Sequence, residues 1–279
     1  MSLIMHQILN SLNLIKNSLI ERNVSNEYIR VALKEELQNY ILSVIYNSEK
    51  IDSLIFIGGT CLRKLWNLNR LSEDLDFENP EGLSLETIGE EIAEYFRKIK
   101  FDKVDYAIQS GASIYRLTVR FQVLHDLELS PNESEKLHVK VELSDSPNRF
   151  RVIQTTFSHD NLSMVIKHHD LETMMAGKIG ACLQRIWEKG DTGIKVKGRD
   201  YYDLIWYMQK GINPNIDKLK AENIGNDLKT VFSQLDEKVA LIKSSDLYSD
   251  LKSFFESDKF IRDWCEHFHE FYERYRKNY

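Results

Sequence analysis

Apolar residues recur at helical spacing through the start of the chain. Ile4, Ile8, Leu9, Leu12, Leu14, Ile15 and Leu19 mark a helix over residues 4–21. Ile29, Leu33, Leu37, Tyr40, Ile41 and Val44 mark a second over 26–47, with Ser25-Asn26-Glu27 as its start. The period then changes. Residues 54–57 form a short run rich in β-branched and aromatic side chains that stops at Gly58-Gly59-Thr60, an amphipathic segment follows, and Asp74-Leu75-Asp76-Phe77 alternates acid with apolar. That order reads strand, tight turn, short helix, strand. After a turn at Asn79-Pro80-Glu81-Gly82, Ser84 caps a helix from 85 to about 100. Residues 102–109, 113–124 and 136–144 alternate or run apolar, with breaks at Gly111 and Pro131-Asn132, and give three strands that join the earlier two in a sheet. Residues 151–167 read as further extended structure. His168-His169-Asp170 opens a helix from 171 to about 187, with Met174, Met175, Ile179, Cys182, Leu183 and Ile186 as its buried stripe. Another helix starts at Gly198 and runs to about 209. Helical periodicity fills the rest, around 216–224, 227–242, 247–255 and 259–275, with Pro214 at a first turn. The fold class is α/β (α+β): a mixed sheet flanked by helices, followed by a helical C-terminal part.

The stretch from Ile55 to Phe77 carries the candidate chemistry. On a strand, residues i and i+2 share a face, so Asp74 and Asp76 project together while Leu75 and Phe77 turn to the other side. Two neighbouring carboxylates repel unless cations sit between them, and hard oxygen donors on an open face suit Mg²⁺ or Mn²⁺. The Gly58-Gly59-Thr60 turn complements them, because glycines let a ligand approach the backbone and the N–H groups at a helix start attract a phosphate. A phosphate cradle followed by a metal-binding pair points to metal-assisted phosphoryl or nucleotidyl transfer. Taken singly, the pieces also read as a plain turn and a solvated strand face.

Composition bounds the answer. At 279 residues the chain holds one large domain or two small ones, and 29% charged residues with only four prolines argue against long disordered stretches. The net charge of −6 argues against general nucleic-acid coating and leaves room for a local basic groove. Cys61, Cys182 and Cys265 are widely spaced and match no zinc pattern. With no apolar signal segment and no run long enough to span a membrane, the expectation is a soluble cytoplasmic protein with no membrane partner.

Between residues 178 and 199, Lys178, Arg185, Lys189, Lys195, Lys197 and Arg199 stand against Glu188 and Asp191. Glycines at 190, 193 and 198 predict a flexible loop over 189–199, which is either solvated or a patch for a phosphate-rich partner. His168 and His169, being adjacent, cannot both face one metal from a helix, so capping or surface exposure is expected. The aromatic and Arg-rich end, Trp264 to Tyr279, is either core at helical spacing or a stacking surface for RNA. Glu142 is an acid on an otherwise β-rich strand.

Gly58-Gly59-Thr60, Leu62-Arg63, Arg70 and Ser72-Glu73-Asp74-Leu75-Asp76-Phe77 together resemble the signature of the AbiEii/AbiGii family of nucleotidyltransferase toxins, part of the DNA polymerase β-like nucleotidyltransferase superfamily. Two later motifs are similar to the family's as well: Leu171-Glu172 with Ala176 and Lys178-Ile179, then Lys197, Arg199-Asp200 and Asp203-Leu204. The resemblance runs over roughly residues 50–210.

The resemblance implies a polymerase β-like fold with a catalytic domain over 1–165, including the two N-terminal helices. A helical domain over 166–279 then contributes Lys178 and Asp200 to the cleft. Asp74 and Asp76 would hold two Mg²⁺ (or Mn²⁺), and Glu142 would complete the metal site or take the proton of the attacking hydroxyl. A nucleoside triphosphate would set its β- and γ-phosphates against Gly58, Gly59 and Thr60. Lys178 would neutralise phosphate charge, and Asp200 would orient Lys178 or assist the metal or acceptor. Arg63 and Arg70 either bind phosphate or pair with Glu73 or the Asp pair. Ser72 is either a turn hydroxyl or a control point, since a phosphoryl group there adds negative charge beside the metal carboxylates. Members of the family are toxins of bacterial toxin–antitoxin or phage-defence pairs, some of which add nucleotides to tRNA 3′ ends. The expected activity is therefore transfer of NMP from an NTP to a hydroxyl, with tRNA as acceptor and an antitoxin as partner. The alternatives are a nucleotidyltransferase acting on a small molecule or a protein hydroxyl, and a non-catalytic nucleotide- or RNA-binding module.

Overall fold

Two helices open the chain where the periodicity places them, α1 over Leu3–Glu21 and α2 over Asn26–Asn47. The computed structural model describes residues 3–111, 114–145, 150–185 and 196–279. Its chain divides into two units, one of Met1–Pro147 with Ile153–His168, the other of Asn148–Val152 with His169–Tyr279.

In the first unit α2 is the central helix. Ser25 caps it, its hydroxyl accepting the Tyr28 N–H at 3.2 Å. Every residue from Glu36 to Tyr46 is buried, polar ones included, because α1, helix α4 (Leu85–Lys98) and the sheet all pack on it. A helix enclosed in this way needs partners for its polar groups, and those of Lys34, Glu35 and Gln38 lie beside the candidate site.

The strands are β1 (Ile55–Ile57), β2 (Asp74–Glu78), β3 (Val104–Gly111), β4 (Ile114–Phe121), β5 (Leu137–Ser144), β6 (Val152–His159) and β7 (Leu162–His169), with α3 (Gly58–Trp66) between β1 and β2. They form one sheet in the order β3-β4-β5-β2-β1-β7-β6. Pairing is mixed: β1 runs antiparallel to β2 and parallel to β7, β2 is parallel to β5, and β3, β4 and β5 form an antiparallel run. The extended stretch after residue 151 supplies β6 and β7, so the sheet is larger than the five strands counted from periodicity. At its centre Phe56 and Phe77 are register partners, stacked with centroids 5.2 Å apart and fully buried. Each phenylalanine taken out of water contributes roughly 2–3 kcal/mol. Phe96 on α4 packs against Phe101 and Phe121 to close the other end.

His168 and His169 correct a reading made from the sequence. They end β7 rather than capping or preceding a helix on the surface, and both are buried. His168 Nε2 is 2.8 Å from the Thr155 hydroxyl and meets the Trp66 ring edge-on; His169 Nδ1 lies 3.0 Å from the Arg151 carbonyl. Asp170 is the cap of the next helix, accepting the Thr173 N–H at 2.9 Å.

The second unit is helical: α5 (Leu171–Gln184), α6 (Gly198–Gln209), α7 (Ile216–Ala221), α8 (Leu228–Val239), α9 (Ser244–Leu251), a short 3₁₀ turn (Lys252–Phe254), α10 (Asp258–Glu266) and α11 (Phe268–Arg276). Helix α5 ends at Gln184. Ile186, Lys189, Lys195 and the glycines at 190 and 193, on which the basic-loop reading relied, lie outside the described residues. The C-terminal aromatics are core. Trp264, Phe268 and Tyr272 are buried, Tyr202 packs on Trp264 at 4.8 Å, and Arg276 forks onto Asp236 at 2.9 and 3.1 Å, so these groups are spent on packing rather than offered for stacking. Among the described residues no helix is long and apolar enough to cross a membrane.

Candidate active site

The turn after β1 is built around two glycines, each with a side chain lying where a Cβ would go. Gly58 has φ +77°, and a Cβ there would sit 2.2 Å from Asp76 Oδ2; a Cβ on Gly59 would sit 2.3 Å from Arg70 Nη2 and 3.1 Å from Ser72 Oγ. The backbone therefore passes directly under one carboxylate and one guanidinium. Helix α3 begins at Gly58 with no side-chain cap on its first N–H groups, which leaves the positive end of the helix directed at whatever occupies the turn. Thr60 is fully buried and its hydroxyl donates to the Asp74 carbonyl, tying the helix start to the start of β2.

Across the sheet, register places charges in two rows on one face. Asp76 stands beside Glu142 and Glu142 beside Arg116; Asp74 stands beside Lys140. Leu75 and Phe77 are buried on the opposite face, as the alternation predicts. Lys140 Nζ lies 4.0 Å from Asp74 Oδ1, and Arg116 Nε donates to Glu142 Oε1 at 2.7 Å. Asp74 and Glu142 thus each have a cation on a neighbouring strand. The donor set of Asp74 and Asp76, hard oxygens on one half-buried face, fits Mg²⁺ or Mn²⁺. Glu142 is turned onto Arg116. Among the described residues, the one trio of His, Cys or acidic side chains with ligand atoms within 4.8 Å of one another is elsewhere in the unit, so Asp74, Asp76 and Glu142 are not gathered that closely. The Cys61 thiol beside this turn is pushed far up by burial, with the Asp76 charge adding to it, and is chemically inert.

The two arginines of the motif part company. Arg70 is buried across Gly59, with Nη1 donating to the Leu71 carbonyl at 2.9 Å. Arg63 points away from the turn: its Nε donates to Glu35 at 2.9 Å and its Nη1 to the Leu68 carbonyl at 3.3 Å. Its ion-pair partner is therefore neither Glu73 nor the Asp pair. Glu73 is paired with Lys34 at 3.0 Å. Ser72 is buried, and its carbonyl accepts from Gln38 Nε2 at 3.0 Å. Phosphorylating its hydroxyl requires the loop to open.

In the second unit Lys178 on α5 meets two carboxylates one helical turn apart on α6. Its Nζ is 2.8 Å from Asp200 Oδ1 and 2.9 Å from Asp203 Oδ2, with Arg185 3.3 Å from Asp200 Oδ2. Asp203 is fully enclosed and Asp200 nearly so. Burial alone would raise the Asp200 carboxyl, but Lys178, Arg185 and Lys197 outweigh it and hold the group at about 2. Burial, helped by the Arg199 charge, lowers the Lys197 ammonium. Arg199 is not part of a solvated loop. Its N–H donates to Asp250 Oδ2 at 3.0 Å, and its guanidinium lies 4.5 Å from the Phe254 ring centroid.

Sequence reasoning missed Arg116 and Lys140, whose relevance comes only from strand register, and the α2 side chains Lys34, Glu35 and Gln38 that brace the loop. Asp203 was visible as a helical neighbour of Asp200.

Two solved structures, both from Helicobacter pylori, share this architecture. One is the protein JHP933, at 19% identity and TM-score 0.50, over 88% of this chain and 92% of that one. The other is a protein proposed to be a nucleotidyltransferase, at 20% identity and TM-score 0.50, over 88% and 93%. No curated protein sequence matches significantly. By class the chain is a nucleotidyltransferase. The model of the nucleotidyl transferase AbiEii toxin family, of type IV toxin–antitoxin systems, matches residues 40–277, and the chain belongs to that family.

Proposed function

We propose that this enzyme transfers a nucleoside monophosphate from a nucleoside triphosphate to the 3′ hydroxyl of tRNA, and that it acts as a Mg²⁺-dependent bacterial toxin held in check by an antitoxin. The observation that carries the reading is the seating of Asp76 directly against Gly58, where the uncapped start of α3 and a strand of paired acids meet.

In this reading the Gly58, Gly59 and Thr60 N–H groups hold the triphosphate, and Arg70, lying across Gly59, meets the charge of the departing pyrophosphate. Asp74 and Asp76 hold the divalent ion, which when bound offsets phosphate charge and lowers the pKa of the attacking hydroxyl. Glu142 accepts the proton of that hydroxyl, with Arg116 orienting the carboxylate until then. The acceptor oxygen forms a bond to the α-phosphorus, the bond from that phosphorus to the bridging oxygen breaks, and pyrophosphate leaves with the electron pair. Lys178, fixed by Asp200 and Asp203, supplies further positive charge to the phosphates. Arg63 has a bracing role on Glu35.

The test is a transfer assay with purified protein, Mg²⁺, each α-labelled NTP in turn and total tRNA, beside Asp74→Ala and Lys178→Ala. Label reaching the tRNA 3′ end with wild type alone supports the proposal and names the base. Label reaching only a protein or small-molecule hydroxyl overturns the tRNA assignment, and transfer that survives Asp74→Ala overturns the site.

A further inference from the structure

On the first unit, away from the paired aspartates, Glu36 of α2 faces the turn between β6 and β7. His159 Nε2 lies 2.8 Å from Glu36 Oε2 and 3.9 Å from Asp160 Oδ2, and the three ligand atoms fall within 4.8 Å of one another. Glu36 is 4% exposed. Its other oxygen, Oε1, is already taken by the Ser11 hydroxyl at 2.8 Å, which leaves Oε2 aimed at the imidazole.

A second observation bears on the same spot. Asn39, one turn along α2 and 3% exposed, directs its carboxamide at Glu36, with Nδ2 3.4 Å from Oε2, while its Oδ1 has no hydrogen-bond partner. An unmatched buried carbonyl costs roughly 1–3 kcal/mol. Turning the carboxamide over does not remove the cost, because it sets Oδ1 against the Glu36 carboxylate. A cation among these atoms removes it, since Oδ1 then becomes a ligand.

We propose that Glu36, His159 and Asp160, with Asn39 Oδ1 as a fourth donor, bind a divalent cation of the zinc type. An imidazole nitrogen with two carboxylate oxygens inside 4.8 Å of one another, and an amide oxygen one helical turn along α2, suits Zn²⁺, Co²⁺ or Ni²⁺ better than Mg²⁺. On binding, His159 Nε2 turns its lone pair to the metal and any proton it carries passes to water. Lys64, the cation nearest Glu36 and His159, and the Tyr40 phenol, which feels Glu36 and Asp160, are the other titratable groups facing the site. Two carboxylates against one ammonium still favour a dication.

The experiment is calorimetric titration of chelator-treated full-length protein with Zn²⁺, and with Co²⁺ followed by visible absorption, for wild type, His159→Gln, Asp160→Asn and Asp74→Asn/Asp76→Asn. Asp160 is largely exposed, so its variant leaves the fold intact. The expected result is one equivalent bound, intense visible Co²⁺ bands, affinity down about tenfold or more in His159→Gln and Asp160→Asn, and affinity unchanged in the aspartate-pair variant. No binding of Zn²⁺ to wild type, equal affinity in His159→Gln and Asp160→Asn, or loss only in the aspartate-pair variant would each overturn the assignment.

Discussion

Replacing Asp200 by Asn tests the charge cluster of the second unit. The side chain keeps its shape and can still accept a hydrogen bond from Lys178, but Arg185 and Lys197 lose the charge they share. A carboxyl held at about 2 instead of 3.8 is worth ~2–3 kcal/mol of folding free energy when both folded and unfolded chains are ionised. The sign follows from the downward shift: the contribution is complete above the unfolded value and fades as pH falls from 3.8 through about 2. Asp200→Asn should therefore destabilise the second unit by ~2–3 kcal/mol at pH 7 and by about half that at pH 3. Urea unfolding of wild type and variant at the two pH values, followed by circular dichroism, measures both differences. A penalty equal at pH 7 and pH 3 would refute the argument, because it would show that shape and not charge is what Asp200 contributes. The same variant reports on function. With one of its two carboxylate anchors neutralised, Lys178 loses its fixed position, and under the proposed role of that ammonium a displacement on the order of 1 Å costs about 100-fold in rate.

Three further expectations are independent of that one. Gly58→Ala, forced to φ +77° with its methyl 2.2 Å from Asp76 Oδ2, should lower transfer by at least about 100-fold while costing only ~1–2 kcal/mol of stability; near-normal kcat would mean that Asp76 is not held by the turn. Arg116→Met removes the guanidinium that orients Glu142, a partly exposed pair worth ~1 kcal/mol, so kcat for transfer should fall about fivefold with stability little changed; an unchanged kcat would separate this pair from the chemistry. Arg199→Ala leaves Asp250, 5% exposed, without its guanidinium and Phe254 without its cation; a loss of ~2–4 kcal/mol in thermal or urea unfolding is expected, and a loss under ~0.5 kcal/mol would restore the picture of a solvated basic loop.

What could be read from the sequence was local. The alternation at Asp74-Leu75-Asp76-Phe77 put two acids on one face because strand period needs no knowledge of neighbours, and the glycine turn was legible because only glycine tolerates that backbone. Asp200 and Asp203 sharing a face followed from helical spacing. What depended on pairing at a distance was hidden. Nothing in the composition of β4 indicates that Arg116 will stand beside Glu142, nor that Arg63 will reach back to Glu35 or Arg199 forward to Asp250. The His168-His169 misreading has the same root: an Asp cap correctly marks a helix start, but whether the residues before it are exposed depends on the strands they pair with.

Helix α2 explains why the loop between α3 and β2 is held so closely. Three of its polar residues, on the side facing that loop, find partners in it and in the helix before it. Lys34 takes Glu73, the Glu35 side chain takes Arg63 while its carbonyl takes Lys64 at 2.9 Å, and Gln38 takes the Ser72 carbonyl. The cost of enclosing a polar helix is thereby converted into fixed positions for residues 63–73, and so for Asp74 immediately after them. The family match begins at residue 40, so all of these braces lie before it. The matched segment carries the acids and the glycine turn, and the preceding helix determines how firmly they are aimed. Glu36 belongs to the same set, and its partner His159 ends β6, the edge strand two places from β1 in the sheet order, so that one buried helix binds the candidate site and the proposed cation site into a single polar framework.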